Sequence, residues 1–358
     1  MRIGIVTFFG PYGGALQCFA LQHVLSSMGH EVYVINRKWG AFRPVVKKSL
    51  FCGFKHKLHK MLVGDPFEFF YDQNYKFTTP VTSNEVLLDL GTKKYFDAIL
   101  VGSDQPWNPE CIKTMGYYFY LDWVSPEVKK YAYAVSFGKD SFPASEKVVE
   151  DIKCIINTYC SVSVREKSGI KICNEIFNIS TQQCLDPTLL LNSSNYNNLI
   201  ADKRISRDYV CTFFLDNTLK KHQLAIEIAR KENLLLIDNN PPIPKSRLLR
   251  FFYHKRSISQ WLRNIRDAKY VITDSFHGTV FSLLFHKQFI SINNKKRGSA
   301  RFESLLSALN IINRLQDTDN LNVADVYSIL HEKIDYNKVD LIIADMKSSS
   351  LSFLKNLK

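Results

Sequence analysis

Tyr270-Val-Ile-Thr-Asp-Ser-Phe-His-Gly-Thr-Val-Phe-Ser-Leu-Leu-Phe285 holds the reading of the whole chain. Its first five residues are short, apolar and β-branched, which predicts a buried strand over Tyr270–Asp274. A polar turn with Ser275 and His277 follows, and Gly278-Thr279 opens an apolar stretch that predicts a helix over Thr279–Phe285. Strand, polar turn and helix in this order form the repeating unit of a parallel α/β sheet. In such sheets ligands bind beyond the carboxyl ends of the strands. A helix N-terminus placed there offers unpaired N–H groups and a positive dipole end to an anion. An imidazole in the same turn adds a proton donor or acceptor. A lone histidine is more often a buried group serving loop carbonyls; the serine, the glycine and the helix start favour a functional one here.

The same unit recurs on both sides of this stretch. Arg2–Thr7, Glu31–Asn36, Ala98–Val101, Tyr131–Ser136 and Ser161–Arg165 predict strands, with a helix from Ala15 toward Met28. After Leu185-Asp-Pro-Thr188 and a run of Asn and Ser through Asn198, the rhythm restarts. Strands are expected at Tyr209–Leu215, Leu234–Asp238 and Gln288–Asn293, with helices near Lys220–Lys231, Trp261–Ala268, Val323–Ile334 and Leu341–Leu357. Ser257 and Gln260 have the spacing of a capping box ahead of Trp261. The expected architecture is α/β: two Rossmann-like doubly wound domains, residues 1–192 and 193–358, facing a cleft. The final helices are free to pack back on the first domain.

Composition agrees. At about 150 residues per domain, 358 residues suggest two domains, and 46% hydrophobic with 23% charged residues excludes disorder, collagen and coiled coil. No apolar run reaches the ~18 residues of a membrane span, and Pro11-Tyr-Gly-Gly14 stands where a signal peptide would need its cleavage site. The eight cysteines are scattered without a C-x-x-C pair, the usage of reduced, packed thiols in a cytoplasmic protein with neither a disulfide framework nor a metal site.

The net charge of +13 calls for an anionic partner. Residues 1–192 hold 21 basic and 18 acidic side chains, net +3, and residues 193–358 hold 26 and 16, net +10, so the second half is the place to look. There, Asn293-Asn-Lys-Lys-Arg-Gly298 leaves a strand with Arg301 just beyond, either a second cationic edge to the cleft or a solvated turn. Arg165, after the strand at Ser161, suits a carboxylate or phosphate through its forked donors; pairing with Glu166 explains it equally well. Val101-Gly-Ser-Asp-Gln-Pro-Trp-Asn-Pro109 offers Ser103, Asp104, Gln105 and Asn108 for sugar hydroxyls and the Trp107 face for a sugar ring, with Asp104 able to act as a base. Packing of Trp107 inside a structural loop is the plainer reading. Arg43–Met61, with six Lys or Arg and no acid, suggests peripheral contact with an anionic membrane, or a solvated face.

Seven segments together resemble the polysaccharide pyruvyl transferase family: Tyr12-Gly-Gly-Ala-Leu-Gln17, Gly102-Ser-Asp-Gln-x-Trp-Asn108, Ser136-Phe-Gly138, Ser163-Val-Arg-Glu166, Leu185-Asp-Pro-Thr188, Asp274-Ser-Phe-His-Gly278 and Arg297-Gly-x-x-Arg301. The resemblance implies a GT-B type fold with the acceptor on the first domain and the donor on the second. It also implies transfer of pyruvate from phosphoenolpyruvate, as a ketal, onto two hydroxyls of a sugar in a cell-surface polysaccharide or its lipid-linked precursor. Phosphoenolpyruvate is then a co-substrate, with no further cofactor and no metal. His277 matches the family's essential histidine, with Asp104 as the candidate base. Arg165 matches the donor-binding arginine, and Lys295, Lys296 and Arg297 compete for the place of its later lysine. Ser275, Gly278, Thr279 and Arg301 complete the expected donor site. Tyr12, Gln17, Ser103, Gln105, Trp107 and Asn108 form the expected acceptor site. Pro11 departs from the asparagine common in the family's first glycine loop. The alternative is a sugar-nucleotide-dependent glycosyltransferase of the same fold. Nucleic acid is not expected, since no binding motif of known spacing is present.

Overall fold

The computed structural model describes residues 1–37, 65–200, 205–242, 245–246, 253, 255–293 and 298–357. Two parallel sheets carry the fold. The first contains β1 (Arg2–Val6), β2 (Glu31–Val34), β3 (Ala98–Val101), β4 (Lys129–Val135), β5 (Ser161–Val164) and β6 (Gln182–Gln183), in the order β2-β1-β3-β4-β5-β6. The second contains β7 (Tyr209–Phe213), β8 (Leu235–Asp238), β9 (Tyr270–Thr273), β10 (Gln288–Ile292) and β11 (Leu315–Gln316), in the order β11-β10-β9-β7-β8. Their sequences explain their place. Ala98-Ile-Leu-Val101 and Tyr270-Val-Ile-Thr273 are buried along their whole length, as strands covered by helices on both faces must be.

Each sheet reverses direction once. From β1 the chain moves outward to β2, then returns to pair β3 on the other side of β1, with Ile3 opposite Ala98. From β7 it moves to β8 and returns to pair β9 on the other side, with Val210 opposite Tyr270. Such reversals open a crevice at the carboxyl ends of the two diverging strands. The molecule therefore has two crevices, one beyond β1 and β3 and one beyond β7 and β9.

Packing between the halves sets these crevices against each other. Tyr12, after β1, stacks on Trp261 of the helix Ile258–Arg266 at 5.3 Å and 18°, and its hydroxyl donates to the Arg256 carbonyl at 3.0 Å. Ser304 Oγ accepts from Lys167 N and Gln183 Nε2. Gly298 approaches so closely that a Cβ there would fall 1.6 Å from the Gly138 carbonyl oxygen, and both glycines have positive φ. The C-terminal helix Tyr336–Lys355 lies on the first half: Ser350 Oγ accepts from Leu185 N at 2.9 Å, and Phe353 packs on Tyr133. No helix is long and apolar enough to cross a membrane among the described residues. The basic stretch Arg43–Met61 lies outside the described residues.

Candidate active site

The two crevices meet in one cavity of about 240 Å³. Gly10, Gly13 and Gly14 line it from beyond β1, Asp104 and Gln105 from beyond β3, Leu215 from beyond β7, and Asp274, Ser275, Phe276 and His277 from beyond β9; Arg301 lines it as well. Two helices point their N-termini at it, Gly13–Ser27 from the first half and Phe276–Leu284 from the second, and neither has an acidic side chain in its first turn. The positive ends of both helices are thus left without a carboxylate of their own.

The sequence predicts a helix over Thr279–Phe285; the helix begins at Phe276, because Ser275 is the N-cap and its Oγ accepts from Gly278 N at 3.4 Å. His277 consequently sits on the first helical turn. Its ring lies against Gly13, where a Cβ would come within 2.1 Å of His277 Nδ1, so only glycine fits opposite it. Gly278 answers a similar need: a Cβ there would meet Thr273 Oγ1 at 2.3 Å. Thr279 Oγ1 pairs with Ser291 Oγ at 2.6 Å, facing β10 and not the cavity.

Behind the cavity wall lies a buried charge cluster. Asp186 Oδ2 accepts from Arg165 Nη1 at 2.5 Å and from Ser103 Oγ at 3.1 Å. Its other oxygen accepts from Thr188 N and Thr188 Oγ1. His277 Nε2 lies 3.4 Å from the same Oδ2, within ion-pair reach but without hydrogen-bond geometry. Burial opposes ionisation of Asp186. The charge of His277 first, then Arg165 and the hydrogen bonds from Thr188, outweigh it and hold the carboxyl well below its usual value. Arg165 keeps Nε and Nη2 without hydrogen-bond partners, with Asp104 Oδ1 3.8 Å from Nη2. The guanidiniums of Arg165 and Arg301 lie 4.8 and 5.7 Å from the centre of the Phe276 ring, which fixes two cations side by side. Burial first, and then the charge of Arg165, pull Arg301 down to about 10, so it is still a cation at neutral pH. Asp104 has a positive φ of 75°, a left-handed conformation that directs this half-buried carboxylate from the end of β3.

Of the residues expected at the donor site, Ser275, His277 and Arg301 line the cavity and Arg165 stands directly behind it. Lys296 and Arg297, with Lys295, lie outside the described residues. Of those expected to meet an acceptor, Gln105 lines the cavity and Ser103 is buried in the Asp186 cluster. The others are used elsewhere. Trp107 is wholly buried, stacked on Tyr120 with its indole N–H donating to Phe119 O, so it offers no face to a sugar. Asn108 caps the helix Pro109–Met115. Buried Gln17 donates to Thr7 Oγ1 and Gly14 O. Tyr12 is the stacking partner of Trp261. Arg165 pairs with Asp186, while Glu166 turns away and accepts from Ser136 Oγ and Phe137 N. Asp186 and Phe276 were missed as site residues. Asp186 sits in an Asp-Pro-Thr run that reads as a domain junction, and Phe276 reads as helix core.

The sequence matches the family model for polysaccharide pyruvyl transferase over residues 12–296. The chain belongs to this family. The match brackets every cavity-lining element except the helix Ala300–Ala308, which carries Arg301, and the outer part of the first glycine loop. A search of curated proteins finds no match. Among solved structures, the chain is similar to S. aureus MnaA in its UDP co-structure, at 12% identity and a TM-score of 0.51, over 96% of this chain and 91% of that one. It is similar to a putative UDP-N-acetylglucosamine 2-epimerase from Listeria monocytogenes at 12% identity and a TM-score of 0.50, over 98% and 97%. At this identity the likeness speaks for the fold alone, which is the two-domain GT-B type.

Proposed function

We propose that this pyruvyl transferase takes phosphoenolpyruvate as donor and builds a cyclic ketal on two hydroxyls of a sugar, in a cell-surface polysaccharide or its lipid-linked precursor. The observation that carries the reading is the match in charge and size. Phosphoenolpyruvate is a small ligand with close to three negative charges. The cavity offers two helix N-termini, Arg301, and Arg165 with spare donors behind the wall. Its 240 Å³ lies below the roughly 300–1,000 Å³ of pockets for drug-sized ligands, which favours a small trianion over a sugar nucleotide.

In the proposed reaction a proton is delivered to the methylene carbon of the donor, and the adjacent carbon becomes electrophilic. One sugar hydroxyl attacks that carbon and its proton passes to a base. The carbon–oxygen bond to phosphate breaks, phosphate leaves with the electron pair, and the second hydroxyl adds to the same carbon and gives its proton to the departing phosphate, closing the ketal. His277 is the proposed acid or phosphate partner, and Asp104 the proposed base. Arg165, Ser275, Arg301 and the helix end hold the carboxylate and phosphate of the donor; Lys296 and Arg297 are proposed for the same role. Gln105 is the proposed acceptor contact. The enzyme is proposed to work on the cytoplasmic side, with Arg43–Met61 as a peripheral membrane contact.

The test is incubation with phosphoenolpyruvate and synthetic or lipid-linked sugar acceptors, following acceptor-dependent phosphate release and the mass of the product. A product heavier by one pyruvyl group is the expected result. Transfer of a sugar from a sugar nucleotide, with no phosphate released from phosphoenolpyruvate, would favour the glycosyltransferase reading instead.

A further inference from the structure

Asp186 belongs to neither crevice. It lies in the segment that joins the two halves, after β6, yet it touches the working groups of both: Arg165 at the end of β5 and His277 on the first turn of Phe276–Leu284. It is wholly buried, and its oxygens take hydrogen bonds from Arg165, Ser103 and Thr188. A carboxylate held on three sides cannot turn away, so the Oδ2 that takes Arg165 and Ser103 is fixed 3.4 Å from His277 Nε2.

The other ring nitrogen, Nδ1, is on the side of His277 that packs on Gly13, and both residues line the cavity. His277 Nδ1 faces Gly13, a cavity-lining residue, closely enough that any side chain there would collide with it. Nε2 is buried and has no hydrogen-bond partner in the resting geometry. Hydrogen bonds of catalytic groups are often long before substrate binds and tighten in the complex.

Building on the function proposed above, we infer that Asp186 is the positioning residue of this site: its carboxylate holds the proton of neutral His277 on Nε2 and leaves Nδ1 as the nitrogen that exchanges a proton with the substrate. The protonated imidazole gives its Nδ1 proton to the donor, and the ring left behind is neutral with its remaining proton facing Asp186. The carboxylate itself is never protonated. Because the same Oδ2 also receives Arg165, the anion-binding cation and the proton donor are fixed by one atom. That is the arrangement in which a third group orients a base by binding its other ring nitrogen.

Heteronuclear NMR of the imidazole nitrogens in the full-length protein tests this, with the His277 signals assigned by their loss in His277→Gln. In the wild type the neutral ring is expected to carry its proton on Nε2, and in Asp186→Asn that preference is expected to be lost. A wild-type ring protonated on Nδ1, or an unchanged tautomer in the variant, overturns the inference. The wild-type spectrum decides the matter even if the variant does not fold. In turnover, Asp186→Asn is expected to lower kcat on the order of 10²–10³-fold with a much smaller change in KM for the donor. Adding it to His277→Ala should cost little more, because residues acting as one unit are not additive. Full additivity would also overturn it. If phosphoenolpyruvate is not turned over at all, the functional reading fails while the NMR result still stands or falls alone.

Discussion

Two buried ion pairs sit at the carboxyl ends of strands within this molecule, and they are built differently. Lys221 Nζ donates to Asp274 Oδ2 at 2.6 Å, and the same carboxylate accepts from Leu215 N and Asp216 N; Lys221 also donates to the Asp216 carbonyl. That pair ties the helix Leu219–Lys231 and the loop after β7 to the end of β9. Arg165 and Asp186 are just as buried, but the guanidinium keeps two nitrogens without hydrogen-bond partners and a histidine stands beside the carboxylate. Buried donors left open cost stability. Asp274 lines the same cavity, yet its carboxylate takes Lys221 and two backbone N–H groups and the Lys221 donors go to the scaffold, whereas Arg165, behind the wall, keeps donors with capacity for an anion. Burial of charge alone would not have separated the two; the count of unused donors does.

The largest expected effect falls on the scaffold pair. Lys221→Met leaves Asp274 buried without its cation and should cost about 3–5 kcal/mol of stability, read from the midpoint of urea denaturation. If that variant keeps its stability and loses only turnover, the two pairs are not different in kind. His277→Ala should do the reverse, lowering turnover about 10²–10⁴-fold with little change in the urea midpoint. Near-normal turnover would remove His277 from the chemistry. Gly13→Ala reaches the same group from the other half of the molecule. A methyl at 2.1 Å from Nδ1 must displace the ring, so turnover should fall by at least about tenfold through a lost near-attack geometry, while Gly10→Ala, with only Gly14 Cα near at 3.7 Å, should be mild.

What could be read in the sequence follows from how local each signal is. Strands such as Ala98–Val101 and the capping box at Ser257 are written in consecutive residues, and the structure has both where expected. The two-residue edge strands β6 and β11 have no periodicity to read. The short helix Pro109–Met115 hides behind a polar cap, and the same polar residues made Trp107 look like a sugar platform. His277, Arg165 and Arg301 stood out because cations and imidazoles near strand ends have few bland uses. Asp186 did not, since its partners are 21 residues before it and far later in the chain, and only the two reversals of the sheets bring them together.

A smaller effect separates charge from geometry at Arg165. Arg165→Lys keeps the ion pair with Asp186 and removes the forked donors, so the fold should hold while KM for the donor rises about tenfold; an unchanged KM would mean that the spare nitrogens meet no substrate.

The finest distinction is in pH. Asp186 is held below its usual value, so its contribution to stability is complete above the unfolded carboxylate pKa of about 3.9 and is lost as the pH falls toward its lower folded value. Glu166 is raised, by burial against the pull of Arg165, Ser136 and Arg301. Its contribution is complete below the unfolded value of about 4.3 and is lost as the pH rises through its folded one. Urea midpoints between about pH 3 and pH 7 should therefore move in opposite senses. The difference between wild type and Asp186→Asn should shrink on acidification, and that between wild type and Glu166→Gln should shift in favour of the variant as the pH rises. Two buried carboxylates with the same pH signature would mean that His277, Arg165 and Thr188 do not together hold Asp186 ionised.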